Sequence, residues 1–101
     1  MLASLNEHGK GWQPHILRVP VQGALHSCLI AFDDYAVGEE FINRIPAAAG
    51  GELIFVIERQ WRDICRQCSE LGINHALIYF ELGVDNSLLF RAESPASFVS
   101  P

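Results

Sequence analysis

The apolar residues of this chain fall into short runs that predict five strands. The run at 25–32 is nearly continuous in apolar residues, as in a strand that is covered on both faces. The runs cover residues 16–21, 25–32, 53–57, 76–82 and 88–93. Leu53 to Ile57 is apolar throughout and rich in β-branched residues, so it is the strongest strand prediction. Pro20 cannot donate a ladder hydrogen bond, which predicts an edge position or a bulge for the first strand.

Two further stretches have the period of an amphipathic helix. Residues 35–45 and residues 59–71 each place apolar side chains on one arc of the helical wheel and charged side chains on the other. Asp33-Asp34 offers an N-cap for the first helix, and Pro46 ends that helix. Gly72 is typical of the residue just past the end of the second helix.

The predicted order is β-β-α-β-α-β-β, a single α/β (α+β) domain over residues 1–101 with a mixed sheet of about five strands. Two right-handed crossovers would make the strands at 25–32, 53–57 and 76–82 parallel. Residues 1–14 are predicted to be a loosely ordered arm, and no element is predicted for the tail, 94–101.

Composition narrows the class of protein. The 101 residues allow one domain, and 50% apolar content excludes a disordered chain. No uncharged apolar run is long enough to span a membrane, and no export-type segment is present, so we expect a cytoplasmic protein without membrane contact. The net charge of −5 argues against nucleic-acid binding and favours a basic protein partner.

The cysteines carry the one sequence motif, C-x-x-C at Cys65 and Cys68. A redox pair needs its first thiol exposed at a helix N-terminus, whereas these two lie within the second helix near its apolar arc. We therefore expect reduced core thiols, with redox and zinc chemistry as alternatives, and we predict no cofactor and no metal. His26 and Cys28 share a strand face, which is the only geometry for a catalytic dyad.

Polar residues follow two of the predicted parallel strands. Asp33, Asp34 and Tyr35 come after the second strand, and Glu58 and Arg59 after the third. If these strands are neighbours, the groups converge at the edge where open sheets bind ligands. The candidate is a cation or polar-ligand site with Arg59 as its counter-charge. The alternative is ordinary helix capping and solvated loops.

Charge on the second helix is locally balanced, because acidic residues share the arc that carries Arg59, Arg62 and Arg66. This indicates a solvated face rather than a nucleic-acid surface. Surplus apolar residues are concentrated in the C-terminal hairpin and tail, where the last strand is expected to be an open edge. We therefore predict a homodimer formed through the hairpin and the tail.

The runs LIAFDD (29–34) and LGINHALIYF (71–80) frame a strand–helix–strand–helix–strand pattern. Over residues 27–81 this pattern resembles small bacterial domains of the serine-sensitivity (SseB-like) type. The resemblance implies an α/β fold and supplies no catalytic residues. In size and character the chain is also similar to the orphan products of mobile gene cassettes (integrons).

The sequence as a whole predicts a non-enzymatic module that binds a protein or a small ligand as a homodimer. One form of such a module is an inhibitor or immunity-type protein with a basic partner. The competing hypothesis is a small enzyme that uses the carboxylates of Asp33, Asp34 and Glu58 or a cysteine thiol. No catalytic residue is assigned.

Overall fold

The computed structural model describes residues 1–5 and 11–99, with residues 2–5 described as backbone only. These residues form seven strands and two helices. They are β1 (Leu2–Leu5), β2 (Trp12–Pro14), β3 (Leu17–Val21), β4 (Ala24–Phe32), α1 (Tyr35–Arg44), β5 (Glu52–Leu53), α2 (Glu58–Glu70), β6 (His75–Leu82) and β7 (Leu88–Glu93). Short 3-10 helices cover Pro46–Ala48 and Pro95–Phe98.

The main sheet has four strands in the order β3-β4-β6-β7. β4 and β6 run parallel, with Ile30 opposite Leu77, and the two outer pairs are antiparallel. The mixed-sheet α+β fold is therefore confirmed, with four main strands rather than about five. Pro20 lies on β3, which is an edge strand as predicted.

The predicted third strand is wrong. Only Leu53 of the run 53–57 is in a strand, and β5 pairs with β1 in a separate small sheet of order β2-β1-β5. β4 pairs directly with β6, so one crossover containing both helices replaces the two predicted crossovers. Strand propensity is local, but strand partners are chosen by long-range pairing. With β4 and β6 side by side, the main sheet has no place between them for residues 53–57.

Each helix covers one face of the main sheet, because alternate residues of a strand point to opposite faces. On one face, Val37 and Phe41 of α1 pack in a cluster with residues such as Ile30 and Tyr79. On the other face, Cys65 and Cys68 of α2 pack with Leu29 and Ala76. The result is three layers, helix–sheet–helix, with two separate apolar cores.

The chain ends contribute structure that the sequence pattern does not show. Where an irregular arm is predicted, β1 and β2 form a small antiparallel pair, and the predicted arm's residues 6–10 lie outside the described residues. The tail, for which the sequence predicts no element, forms the 3-10 helix Pro95–Phe98 and packs on α2, with the Phe98 ring centred 5.5 Å from that of Trp61. Among the described residues, no helix has the length and apolar content needed to cross a membrane.

Candidate functional site

A groove lies at the carboxyl end of β4. Its first hollow has a volume of about 330 Å³ and is bordered by the start of α1 and by residues 53–56. The second, of about 290 Å³, lies on the α2 side of the sheet over Ala31 and Ile78. Met1, Phe32, Asp33 and Val56 border both hollows, so the two are adjacent, and together they are called the carboxyl-end groove.

The turn after β4 sets the position of the groove. The Asp33 N–H donates to the Tyr79 carbonyl oxygen at 2.9 Å, which extends the β4–β6 pairing by one residue. The next residue, Asp34, leaves the sheet and accepts a hydrogen bond from the Ala36 N–H at 2.7 Å. This side chain therefore caps α1, as the Asp33-Asp34 pattern predicted.

Gly38 holds one wall of the groove close to α1. A Cβ atom built on Gly38 would lie 2.9 Å from both δ carbons of Leu53 and 3.2 Å from Phe32 Cδ2. Only a residue without a side chain permits this approach. The contact fixes Leu53, and with it the start of the segment 53–57, beside the end of β4.

Asp33 is the predicted site residue placed at the centre of the groove, and its counter-charge is Arg91. The Arg91 Nη1 atom donates to Asp33 Oδ2 at 3.1 Å, and its Nε atom donates to Glu93 Oε1 at 3.1 Å. The hydrogen bond with Asp33 raises the pKa of Arg91. The sequence pattern missed Arg91, although its register position opposite Ile78 puts it on the face that α2 covers.

Glu58 and Arg59, which the sequence groups together, separate in the structure. Glu58 borders the second hollow and accepts a hydrogen bond from Arg62 Nη2 at 2.6 Å. Arg59 lies on the outer surface of α2 with Arg62 and Arg66, where Arg66 pairs with Asp63 at 3.3 Å. Arg59 therefore belongs to a charge-balanced helix face, and it does not border either hollow of the groove.

Two exposed aromatic residues flank the first hollow. Tyr35, a predicted site residue, is 69% exposed, and Phe55 is 89% exposed. The sequence gives no sign that Phe55 is exposed, because the apolar pattern of residues 53–57 predicts a covered strand. Two half-buried aromatic residues, Trp61 and Phe98, border the second hollow. Aromatic side chains around a concave surface are typical of binding sites.

The three thiols are buried, as the sequence predicted for the C-x-x-C pair. Burial, with a smaller contribution from Cys68, raises the pKa of Cys65 to about 12. Burial also raises the pKa of Cys28, whose Sγ atom donates to the His26 carbonyl oxygen at 3.3 Å. The His26 ring packs edge-on against His75, with centroids 4.3 Å apart. The thiol–imidazole hydrogen bond of a catalytic dyad is therefore not formed between His26 and Cys28.

No three His, Cys, Asp or Glu side chains of the described residues are grouped as metal ligands would be. Comparison with protein-family models, with curated proteins and with solved structures finds no match to this chain.

Proposed function

We propose that the protein is a non-enzymatic binding module that holds an extended, basic and apolar segment of a partner protein in the carboxyl-end groove. One observation carries this proposal. Within the described residues, the most strand-prone run of the chain, residues 53–57, has backbone partners on a neighbouring segment only at Leu53, which pairs in β5, and at Ile54, which exchanges two hydrogen bonds with Met1. Its exposed Phe55 stands over the groove.

The backbone of this segment is available to a partner strand. The Ile54 N–H donates to the Met1 carbonyl oxygen at 2.9 Å, and the Ile57 carbonyl oxygen accepts from the Trp61 N–H. Between them, the backbone groups of Phe55 and Val56 make no hydrogen bond within the described part of the chain. Because the backbone groups of successive residues in an extended segment point to opposite edges, a partner strand added here would satisfy those of one of the two residues, and it would cover Phe55.

The charges around the groove favour a basic segment. The carboxylates of Asp33, Asp34 and Glu58 outnumber the two cationic groups that border it, the Arg91 guanidinium and the Met1 ammonium, and the whole chain carries −5. The ion pair of Asp33 with Arg91 at 3.1 Å, like the ion pair of Glu58, is between exposed side chains and is worth at most about 1 kcal/mol. A Lys or Arg of the partner can therefore join these carboxylates at little cost. An inhibitor or immunity-type protein that covers a basic surface is one form of such a module.

The same contacts weigh against an enzyme. Each carboxylate of the competing hypothesis already accepts a hydrogen bond from Arg91, from Ala36 or from Arg62. A nucleophilic cysteine needs a lowered pKa, whereas burial raises the pKa of each thiol. A strand-binding function uses the exposed Phe55 and the negative charge of these carboxylates, and it needs no reactive thiol.

Peptide binding tests the proposal. The probe is a fluorescein-labelled octapeptide of alternating Lys and Val, measured by fluorescence anisotropy against a Glu–Val peptide of the same design. We expect the protein to bind the Lys–Val peptide and to ignore the Glu–Val peptide. Phe55→Ser should weaken binding by about tenfold or more without loss of stability, because Phe55 is 89% exposed.

Matched controls lie at the far end of α2. Leu71→Ser removes another exposed apolar side chain, and Glu70→Gln removes another negative charge. Both should bind like the wild type, whereas Asp33→Asn should bind more weakly. Equal loss in Phe55→Ser and Leu71→Ser, or equal binding of the two peptides, would contradict the proposal.

A further inference from the structure

The two edges of the main sheet differ in their capacity to accept another strand. At one edge, β3 contains Pro20, which has no N–H to donate. At the other, the six residues of β7 contain no proline, and Phe90 at its centre is 43% exposed. An edge strand of this length presents a row of unpaired backbone groups that invites pairing.

We propose that β7 pairs antiparallel with β7 of a second copy, with Phe90 on the two-fold axis. Two four-stranded sheets then join into one sheet of eight strands. This interaction goes beyond the binding of a partner segment and does not depend on it.

Length and charge select this register. A two-fold axis perpendicular to a continuous sheet passes between two copies of one residue, so each register has one central residue. Because β7 spans Leu88–Glu93, only Phe90 or Arg91 at the centre lets most of the strand overlap. Centring on Arg91 would oppose two like charges directly, which destabilises a cross-strand pair. Centring on Phe90 opposes two aromatic rings, which stabilises it.

The side chains of both faces fit the same register. On the α1 face, Leu88 packs on the core and the Phe90 ring lies 5.3 Å from the Tyr79 ring. Pairing about Phe90 sets Leu88 opposite Ala92 of the second copy, so the cross-strand ladder on this face is entirely apolar. On the α2 face, Arg91 lies opposite Leu89 of the second copy and keeps its bonds to Asp33 and Glu93.

The tail does not take part in this interface. Phe98 and Val99 pack with α2 of their own chain and are half-buried there. The predicted homodimer surface is thereby narrowed to the hairpin strand. Arg91 borders the second hollow, on the α2 face, so the dimer presents the second hollows of its two copies on the same side of the joined sheet.

Single-cysteine cross-linking tests the register. Directly opposite residues of an antiparallel pair have Cα atoms about 4.5 to 5.5 Å apart, within the range of about 4.4 to 6.8 Å that a disulfide spans. Under oxidised glutathione, Phe90→Cys should give a covalent dimer readily, and Ala92→Cys and Leu71→Cys should not. The wild type is the control for the three buried native thiols. Arg91→Cys or Ala92→Cys cross-linking faster than Phe90→Cys would overturn the register.

Sedimentation of the wild type tests the dimer itself without a variant. We expect a species of twice 11.2 kDa at micromolar concentration. We also expect a monomer for Phe90→Lys, which opposes two ammonium groups on the axis, and a dimer for Leu71→Lys. A wild-type monomer under these conditions would overturn the proposal. Loss of Lys–Val peptide binding with the dimer intact would instead affect only the proposed function.

Discussion

At the level of single residues, adjacent carboxylates of the same type have different tasks. Asp33 pairs across the groove with Arg91, whereas Asp34 caps α1 through the Ala36 N–H. An N-cap satisfies a backbone donor that has no partner in its own helix. An exposed ion pair competes with water and gains much less. The two residues are therefore separable by their effect on stability.

Asp34→Ala should lower the free energy of unfolding by about 1 kcal/mol, because it removes the cap of α1. Asp34→Asn should have a much smaller effect, since an amide oxygen caps as well. Urea denaturation followed by circular dichroism measures both. Asp33→Ala is the matched control, and its cost should be below that of Asp34→Ala. A larger cost at Asp33 would contradict the assigned roles.

The raised pKa of the Cys65 thiol predicts how the stability of the protein changes at alkaline pH. Its pKa is 9.0 in the unfolded chain and about 12 in the folded protein. Between these values the unfolded chain has released the thiol proton while the folded protein retains it. Stability should therefore be unaffected by this group below pH 9 and should fall as pH rises from 9 towards 12.

Urea midpoints measured across this range give the slope. Cys65→Ala lowers stability at neutral pH by leaving a small cavity, but it should make the alkaline slope shallower. The test is the slope and not the starting value. An unchanged slope in the variant, or rapid native-state labelling of the wild-type thiols by a disulfide reagent at neutral pH, would contradict burial of this thiol.

At the level of elements, the close approach of α1 to the segment 53–57 matters both for stability and for the proposed peptide binding. Gly38→Val should destabilise the protein by about 1 to 3 kcal/mol, because the new side chain overlaps Leu53 and Phe32. Since Leu53 lines the groove, Lys–Val peptide binding should weaken as well. Thermal melting and anisotropy measure the two effects. Glu39→Val, on the exposed side of the same helix, should change neither measurably.

Local patterns were sufficient for the helices and for the strands of the main sheet. The predicted helix 35–45 ends one residue later than Tyr35–Arg44, and the predicted helix 59–71 is shifted by one residue at both ends from Glu58–Glu70. Each of these elements carries its own period and its own end signals, such as Gly72, which has a φ of 82°. The prediction of the mixed sheet follows from such local signals together with the handedness of crossovers.

Partnership between distant segments was the part that local patterns could not supply. The run 53–57 has the pattern of a buried strand, yet its only strand residue, Leu53, pairs with β1 at the N-terminal end of the chain. The wrong strand also affects the predicted site, because Arg59 can lie beside Asp33 only if the strand 53–57 is next to β4, and β6 occupies that position. Arg91, which does pair with Asp33, is 58 residues away in sequence.

At the level of the whole molecule, the two proposed binding surfaces lie on different parts of the main sheet. The groove lies at the carboxyl end of β4, whereas the proposed dimer edge is the length of β7. The groove would attract positive charge to an acidic chain. The edge would bring two chains of charge −5 together. Electrostatics therefore acts on the two surfaces with opposite sign.

Salt should separate the two interactions. From about 0.01 M to about 0.15 M salt, the Debye length falls from roughly 30 Å to roughly 8 Å. Screening should slow association of the Lys–Val peptide by about tenfold, because charge attraction speeds that encounter. The same change should tighten the dimer, since it screens the repulsion between two acidic copies. Stopped-flow anisotropy and sedimentation measure the two responses, and Phe90→Lys allows the peptide to be studied on the monomer. If both interactions weaken with salt, charge attraction also holds the dimer together, and the apolar ladder around Phe90 is not its main contact.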